Sequence, residues 1–191
     1  MLNEPTDYEL IDQTLAGRTD AFDAIVHRHQ ARLVHSLEHA FGSREDALEA
    51  AQQAFVSAWK NLAKFRRDAA FYSWLYRIAF NAAKTNRNRQ RIRTTSLNRL
   101  HESGRLPSDS NTATQPEETA ASEERVELVQ QAIRSIAEEY RQPLVLREID
   151  GMSYDEIAQT LGIPVGTVRS RIFRARHELT DRLKRLFPDE R

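Results

Sequence analysis

The 191-residue chain has no cysteine, which removes disulfides and thiolate metal sites and makes a reducing compartment natural. Glycine and proline are scarce, six of each, so a fold built on many tight turns is disfavoured. No apolar run approaches membrane-spanning length, and the start, MLNEPTDYELI, lacks both the basic opening and the apolar stretch of a secretory signal. The expectation is a cytoplasmic protein with no direct membrane insertion. Net charge is missing too, with 28 Lys and Arg against 28 Asp and Glu. Taken whole, that balance speaks against a nucleic-acid partner, but the charges are sorted along the chain. Residues 1–60 carry 5 basic and 10 acidic side chains, 61–105 carry 11 and 2, and 106–127 carry 1 and 6. Such sorting suits a molecule with some faces for phosphate and others for protein.

What is present is helical periodicity nearly throughout, so the predicted class is all-α with no strand candidates. Thr6 with Glu9 opens a helix that Gly17 closes, and Asp20 with Asp23 opens a longer one that ends at Gly42. Ser43 starts a third helix, and a fourth runs from about Ala70 past Lys84. From Thr94 to Ser122 the pattern dissolves into Ser, Thr, Asn, Pro and Glu, as in SDSNTATQPEE. Such a composition buries too little apolar surface to offset its ordering entropy, and reads as a flexible linker. Beyond it Val126, Val129, Ile133 and Ile136 form one stripe, Pro143 is expected to begin a helix, and Gly151 separates that helix from two more. The predicted organisation is two small helical domains, residues 5–93 and 123–187, joined by the linker 94–122. The second is expected to be a helix-turn-helix, winged-helix-like domain.

The sharpest signal is SYDEIAQTLGIPVGTVRSRIFRARHEL, residues 153–179. Ser153 and Glu156 have capping-box spacing, Gly162 stands where a helix must stop and turn, and Pro164 suits the start of the next. In that next helix Val168, Ile172, Ala175 and Leu179 share one narrow apolar stripe at about 100° per residue. Thr167, Arg169, Ser170, Arg171, Phe173 and Arg174 are the candidate DNA contacts, with Arg176 beside them. A slim basic helix fits the major groove, where Arg pairs bidentately with guanine and an outward Phe meets a thymine methyl.

A second signal is FRRDAAFYSWLYRIAFNAAKTNRNRQRIR, residues 65–93. Phe71, Trp74, Leu75, Ile78 and Ala82 cluster on one side and read as core. Tyr72, Tyr76 and Phe80 fall further round, with Arg77, Asn81 and Lys84 continuing the polar side. Aromatics interleaved with cations suit single-stranded nucleic acid, which needs a π-face for each base and positive charge along its backbone. Stacking a base on an aromatic gains ~1–3 kcal/mol, so two or three platforms could trap one or two flipped bases, but opening several base pairs at ~1.4 kcal/mol of stacking per step needs help from a large partner.

No nucleophile–base set, phosphate-cradling glycine loop or HExxH-type metal motif is visible, so no catalytic residue, metal or cofactor is assigned. His35 and His39 share a helix face at i, i+4 and read as solvent-facing. A stand-alone helix-turn-helix transcription regulator is the alternative; it would need a dimerisation surface and would read operators alone.

Taken together, the two segments resemble bacterial RNA polymerase sigma factors of the extracytoplasmic-function (ECF), sigma-E-like type. FRRDAAFYSWLYRIAFNAAK is similar to the family's promoter-melting segment, and LREIDGMSYDEIAQTLGIPVGTVRSRIFRAR to its upstream-element reader. The resemblance implies that Arg169, Ser170, Phe173 and Arg174 meet the minus-thirty-five element. It implies that Phe65, Arg66, Arg67, Asp68 and Ala70, with Tyr72, Tyr76, Arg77, Asn81 and Lys84, melt and hold the minus-ten element. Asp46, Gln52, Gln53, Phe55 and Trp59 would dock on core RNA polymerase. Asp109, Glu117 and Glu118 of the linker would lie near the RNA exit path. Implied partners are core polymerase, promoter DNA and an anti-sigma factor. Gln53 stands where the family usually has Glu, Ala50 and Ala51 replace larger apolar residues, and Arg67 replaces a small one.

Overall fold

The structure, a computed structural model, describes the backbone of residues 4–98 and 117–188 and the side chains of 4–86 and 124–188. It holds α1 (Asp7–Leu15), α2 (Thr19–Phe41), α3 (Arg44–Asn61), α4 (Phe71–Asn98), α5 (Glu117–Arg134), α6 (Glu138–Glu148), α7 (Tyr154–Leu161) and α8 (Val165–Leu186). A short 3-10 turn, Leu62–Lys64, follows α3. Among the described residues there is no strand, hence no β-wing beside the helix-turn-helix. No helix among them is long and apolar enough to cross a membrane.

Local chemistry sets most boundaries. The Glu9 amide donates to Thr6 Oγ1 at 3.3 Å while the Thr6 amide donates to Glu9 Oε2 at 2.7 Å, so the capping box forms. Ser43 Oγ accepts from the Asp46 amide at 3.2 Å and starts α3. α2 ends at Gly42, whose φ of 75° is the left-handed conformation that favours glycine. Arg18, not Asp20, is the N-cap of α2; it supplies no side-chain cap and instead pairs with Asp20 at 3.1 Å.

Three expectations need correction. Pro143 does not open α6 but lies inside it, after an N-terminus at Glu138. The missing amide forfeits one helical bond, and burial of Pro143, Leu144, Val145 and Leu146 outweighs that loss. Helix also extends into the stretch expected to be linker, because α4 continues to Asn98 and α5 begins at Glu117. Arg87, Arg89, Arg91 and Arg93 have side chains outside the described residues, as do Glu117 and Glu118, and Asp109 lies outside them altogether.

The third correction concerns α4. Its buried residues are Phe71, Tyr72, Ser73, Leu75, Tyr76, Ala79 and Ala83, while Trp74, Ile78 and Ala82 are half-buried. The core face is therefore rotated toward the tyrosines. A helical wheel supposes one packing partner, but α4 packs on α3 and α2 and also on α7 of the second domain. The α1–α4 bundle is drawn tight by a seam of alanines, Ala47, Ala50, Ala51, Ala54 and Ala58, all buried in α3. Small side chains let α2 and α4 approach closely. The bulk that fills the core comes instead from Ile25, Leu33 and Leu37 of α2, each at 0% exposure. One continuous apolar cluster runs from this bundle into Ile136, Leu144, Leu146, Ile157, Val168 and Ile172 of the second domain.

Tyr76 is wholly buried and its hydroxyl has no hydrogen-bond partner. An unsatisfied buried hydroxyl costs ~1–3 kcal/mol. Tyr76→Phe should therefore unfold in urea at the same or a higher midpoint, with a gain of up to about 1 kcal/mol; a clear loss would show that the hydroxyl is bonded.

Candidate nucleic-acid interface

The helix-turn-helix forms by the predicted local chemistry. Ser153 Oγ accepts from the Glu156 amide at 3.2 Å, the Ser153 amide donates to Glu156 Oε2 at 2.8 Å, and Gly162 closes α7 at φ 67°. Pro164 is the N-cap of α8. Val168, Ile172 and Ala175 are buried, and Leu179 packs against the same core. The opposite face of α8 is open. Phe173 is 71% exposed, with Arg169, Ser170 and Arg174 exposed around it and Thr167 and Arg171 half-buried at its edge.

The α8 arginines are not equivalent. Arg176 donates to Glu148 Oε1 at 2.6 Å and Arg171 lies 3.7 Å from Glu139. Arg174 instead donates to the Tyr140 hydroxyl at 3.1 Å, and its guanidinium lies 5.9 Å from that ring's centre. Arg169 sits 5.7 Å over Tyr154. Among the described residues neither Arg169 nor Arg174 pairs with a carboxylate. Aromatic contacts hold their guanidinium planes without neutralising them, which suits a cation reserved for an outside acceptor.

The aromatic and basic segment divides in two. Arg66, Arg67, Asp68 and Ala70 of the loop before α4 are exposed, as are Arg77, Asn81 and Lys84 on α4. Arg67 has φ 59°, a left-handed conformation rare for a side-chain-bearing residue. It is held by an ion pair to Asp12 and lies 5.5 Å over the Tyr8 ring. Phe65 is buried, edge-on to Phe71 at 5.6 Å. Phe80 is half-buried and stacked on Phe41 at 5.8 Å.

Tyr72 and Tyr76, grouped at the sequence level with the exposed strand-binding side, are instead buried, at 5% and 0% exposure. The Tyr72 hydroxyl donates to Asp150 Oδ1 at 2.8 Å, and Arg32 lies 3.8 Å over its ring. Burial, and next the Asp150 charge, raise the Tyr72 phenol far above its usual range; burial does the same for Tyr76. Both remain neutral hydroxyls at any working pH. Beside them, a cleft of about 280 Å³ between the domains is lined by Asp68, Ser73, Trp74, Arg77, Gln159 and Thr160.

A third surface lies on α2 and α3. Phe22, Val26, Phe55, Val56 and Trp59 line an open apolar groove of about 370 Å³, with Trp59 at 42% exposure. Gln52 and Gln53 are exposed on the same helix and Asp46 is half-buried at its start. Gln53 donates to Glu49 Oε1 at 2.9 Å and accepts from Asn86 at 3.3 Å, which ties α3 to α4. His35 and His39 meet edge to face at 4.4 Å between ring centres. Among the described residues no third His, Asp or Glu completes a metal set with them. Burial, and next the neighbouring His35, lower the His39 pKa.

Comparison with known proteins decides the family. Residues 25–93 match sigma-70 region 2 and residues 127–179 match sigma-70 region 4. The ECF RNA polymerase sigma-E factor of Escherichia coli K12 is 39% identical over 97% of this chain and 98% of its own. The chain belongs to the ECF sigma factors. The RNA polymerase sigma-H factor of Pseudomonas aeruginosa is 35% identical with the same coverage, 97% and 98%. Among solved structures, CnrH in complex with the cytosolic domain of CnrY is 28% identical at a TM-score of 0.63, covering 92% of this chain and 95% of that one. The sigma factor RpoE of Bartonella quintana, solved with the anti-sigma factor NepR, gives a TM-score of 0.68 at 18% identity, over 89% and 98% of the two chains; it supports the fold alone. A sigma factor is a promoter-directing subunit of RNA polymerase, so core polymerase and promoter DNA are this chain's partners.

Sequence reasoning missed Asp150 and the two residues, Arg32 and Ser36, that donate to it from the other domain. An Asp before a Gly signals only a turn, and nothing local reveals a partner in another domain. On the α2–α3 groove, Phe22 and Trp59 pack edge-on with ring centres 4.9 Å apart. A double-mutant cycle to Leu at both positions, read by urea unfolding, should return a coupling of about 0.5–1.5 kcal/mol; additive effects would mean that the groove wall is not a packed pair.

Proposed function

We propose that residues 5–93 dock on polymerase and melt the minus-ten element, that 94–122 form the connecting segment, and that 123–187 read the minus-thirty-five element. The observation that carries this reading is the open face of α8. A 71% exposed Phe173, between two arginines that lack carboxylate partners among the described residues, has no use within the domain. It fits a thymine methyl and guanine edges in a major groove.

Arg169, Ser170, Phe173 and Arg174 are the base-reading set in this proposal, and Thr167 and Arg171 position the helix on the backbone. Arg66, Arg67, Asp68, Ala70, Arg77, Asn81 and Lys84, with Phe65 behind them, form the accessible part of the minus-ten surface. Tyr72 and Tyr76 join it once uncovered. The apolar groove with Phe55 and Trp59, flanked by Asp46, Gln52 and Gln53, is the proposed polymerase-docking surface. An anti-sigma partner, implied by the family resemblance, is part of the proposal; CnrH, 28% identical to this chain, was solved in complex with the cytosolic domain of CnrY. The proposed site of action is the cytoplasm, beside the polymerase.

Full-length chain added to core polymerase should produce run-off transcripts that depend on promoter sequence. Transcripts unchanged by its addition across genomic fragments, together with tight palindrome binding by the chain alone, would favour a stand-alone regulator. Arg174→Ala should weaken promoter binding by ~1–3 kcal/mol and relax preference at one upstream base pair. Equal weakening on every sequence would mark a phosphate contact instead.

A further inference from the structure

The two domains are joined by a polar contact as well as by packed side chains. Asp150 stands in the turn between α6 and α7, where Gly151 adopts φ 65° and the Met152 amide returns to the Leu146 carbonyl at 3.0 Å. Arg147 braces the turn by donating to the Met152 carbonyl at 2.7 Å. The Asp150 side chain so presented is at 0% exposure. Its hydrogen-bonded side-chain partners all come from the other domain. Ser36 Oγ donates to Oδ1 at 2.8 Å, the Tyr72 hydroxyl at 2.8 Å and Arg32 Nε at 3.1 Å. Arg32 Nη2 also donates to the Asp150 carbonyl at 2.7 Å. The second carboxylate oxygen is buried with no partner.

We propose that the chain closes over its own strand-binding face, with Asp150 as the latch seated in a pocket made by Arg32, Ser36 and Tyr72. This deepens the reading of α4 given above and rests on it. In the closed state Tyr72 cannot take a base, because Arg32 covers one ring face at 3.8 Å and Asp150 holds the hydroxyl. Tyr76, its ring 6.4 Å from that of Tyr72, has no solvent access. The loop residues Arg66 to Asp68 and the polar side of α4 stay open. The closed chain thus keeps its cations available and hides its stacking surfaces. A buried carboxylate with one oxygen unmet is a poor glue and a specific key. On opening, water solvates Asp150 and Arg32 alike, so this polar contact decides how the domains fit more than how strongly they hold.

Because the chain has no cysteine, a probe pair at Ala63→Cys and Thr180→Cys, both exposed and one in each domain, labels the full chain cleanly. Pulsed dipolar spectroscopy should show one narrow, short separation for the otherwise native chain. Asp150→Ala, and Arg32→Gln from the opposite side, should each move most of the distribution to longer separations while helical circular dichroism is kept. The unlabelled variants should bind a fluorescent single-stranded oligonucleotide about tenfold more tightly, the change expected when the competent state rises from about one molecule in ten to a majority. Unaltered separations in both variants overturn the latch. Longer separations with unchanged single-strand affinity uphold it and remove the reading of α4 as a strand-binding face. Should one variant lose its helical signal the other decides, and failure of both to fold overturns the proposal, since a latch must leave two folded domains when released.

Discussion

One carboxylate oxygen, Asp150 Oδ1, gathers three donors from the opposite domain, and the arrangement of the whole molecule depends on it. The apolar contacts around it would accept many small slips. The polar contact accepts one, because each donor must meet the same atom. Moving a carboxylate out of water costs several kcal/mol even after relaxation, and good hydrogen bonding returns about the same amount. The net gain is small and the selectivity large. Arg141 repeats the logic nearby, donating to the Ala40 carbonyl at 3.0 Å at the end of α2, where the helix dipole favours a cation.

That constraint explains why α4 resisted a reading from its own periodicity. Residues that follow local rules were legible. The boxes at Thr6 and Ser153, the left-handed glycines at 42 and 162, and the buried stripe of α8 depend on neighbours within one or two turns. Tyr72 depends on Asp150, 78 residues away, and Arg32 on the same group at a separation of 118. No pattern within a helix encodes such a pairing. Pro143 fails the local rule for the same reason, since burial of its neighbours supplies what the helix loses. The α8 interface was legible because a recognition helix is organised by its own two faces. The α2–α3 groove was legible in part: Phe55 and Trp59 were found, but Phe22 and Val26, which form its other wall, lie on α2, whose pairing with α3 the sequence does not specify.

Charge sorting takes on meaning in the folded chain. Glu148 and Glu139 on α6 engage Arg176 and Arg171, while Tyr140 and Tyr154 hold Arg174 and Arg169 through their rings. The basic helix is thus half neutralised within its own domain. If all four arginines met phosphates, the salt slope would be about −4, a weak electrostatic term for a protein acting alone. With a net charge of zero, the chain gains little from non-specific attraction to DNA, and its placement has to come from the polymerase that carries it.

The same balance governs strand opening. Two or three aromatic platforms at ~1–3 kcal/mol per stacked base can hold one or two flipped bases, while each unpaired base costs a few kcal/mol and several base pairs must open. The chain therefore needs its partner to open a duplex. A latch that hides Tyr72 and Tyr76 therefore sacrifices no activity that the free chain possesses, and it denies stray single strands a stacking surface. The proposed docking groove uses Phe22 and Val26 of α2 with Phe55 and Trp59 of α3, whereas Asp150 is held by Arg32 and Ser36 further along α2 and by Tyr72 of α4, so the two sites share no residue. Polymerase can therefore engage the closed chain first and draw the domains apart afterwards. Because the latch is selective and not strong, docking through that groove together with promoter contact by α8 is the proposed means of opening it, which would uncover the stacking face where the promoter is already held.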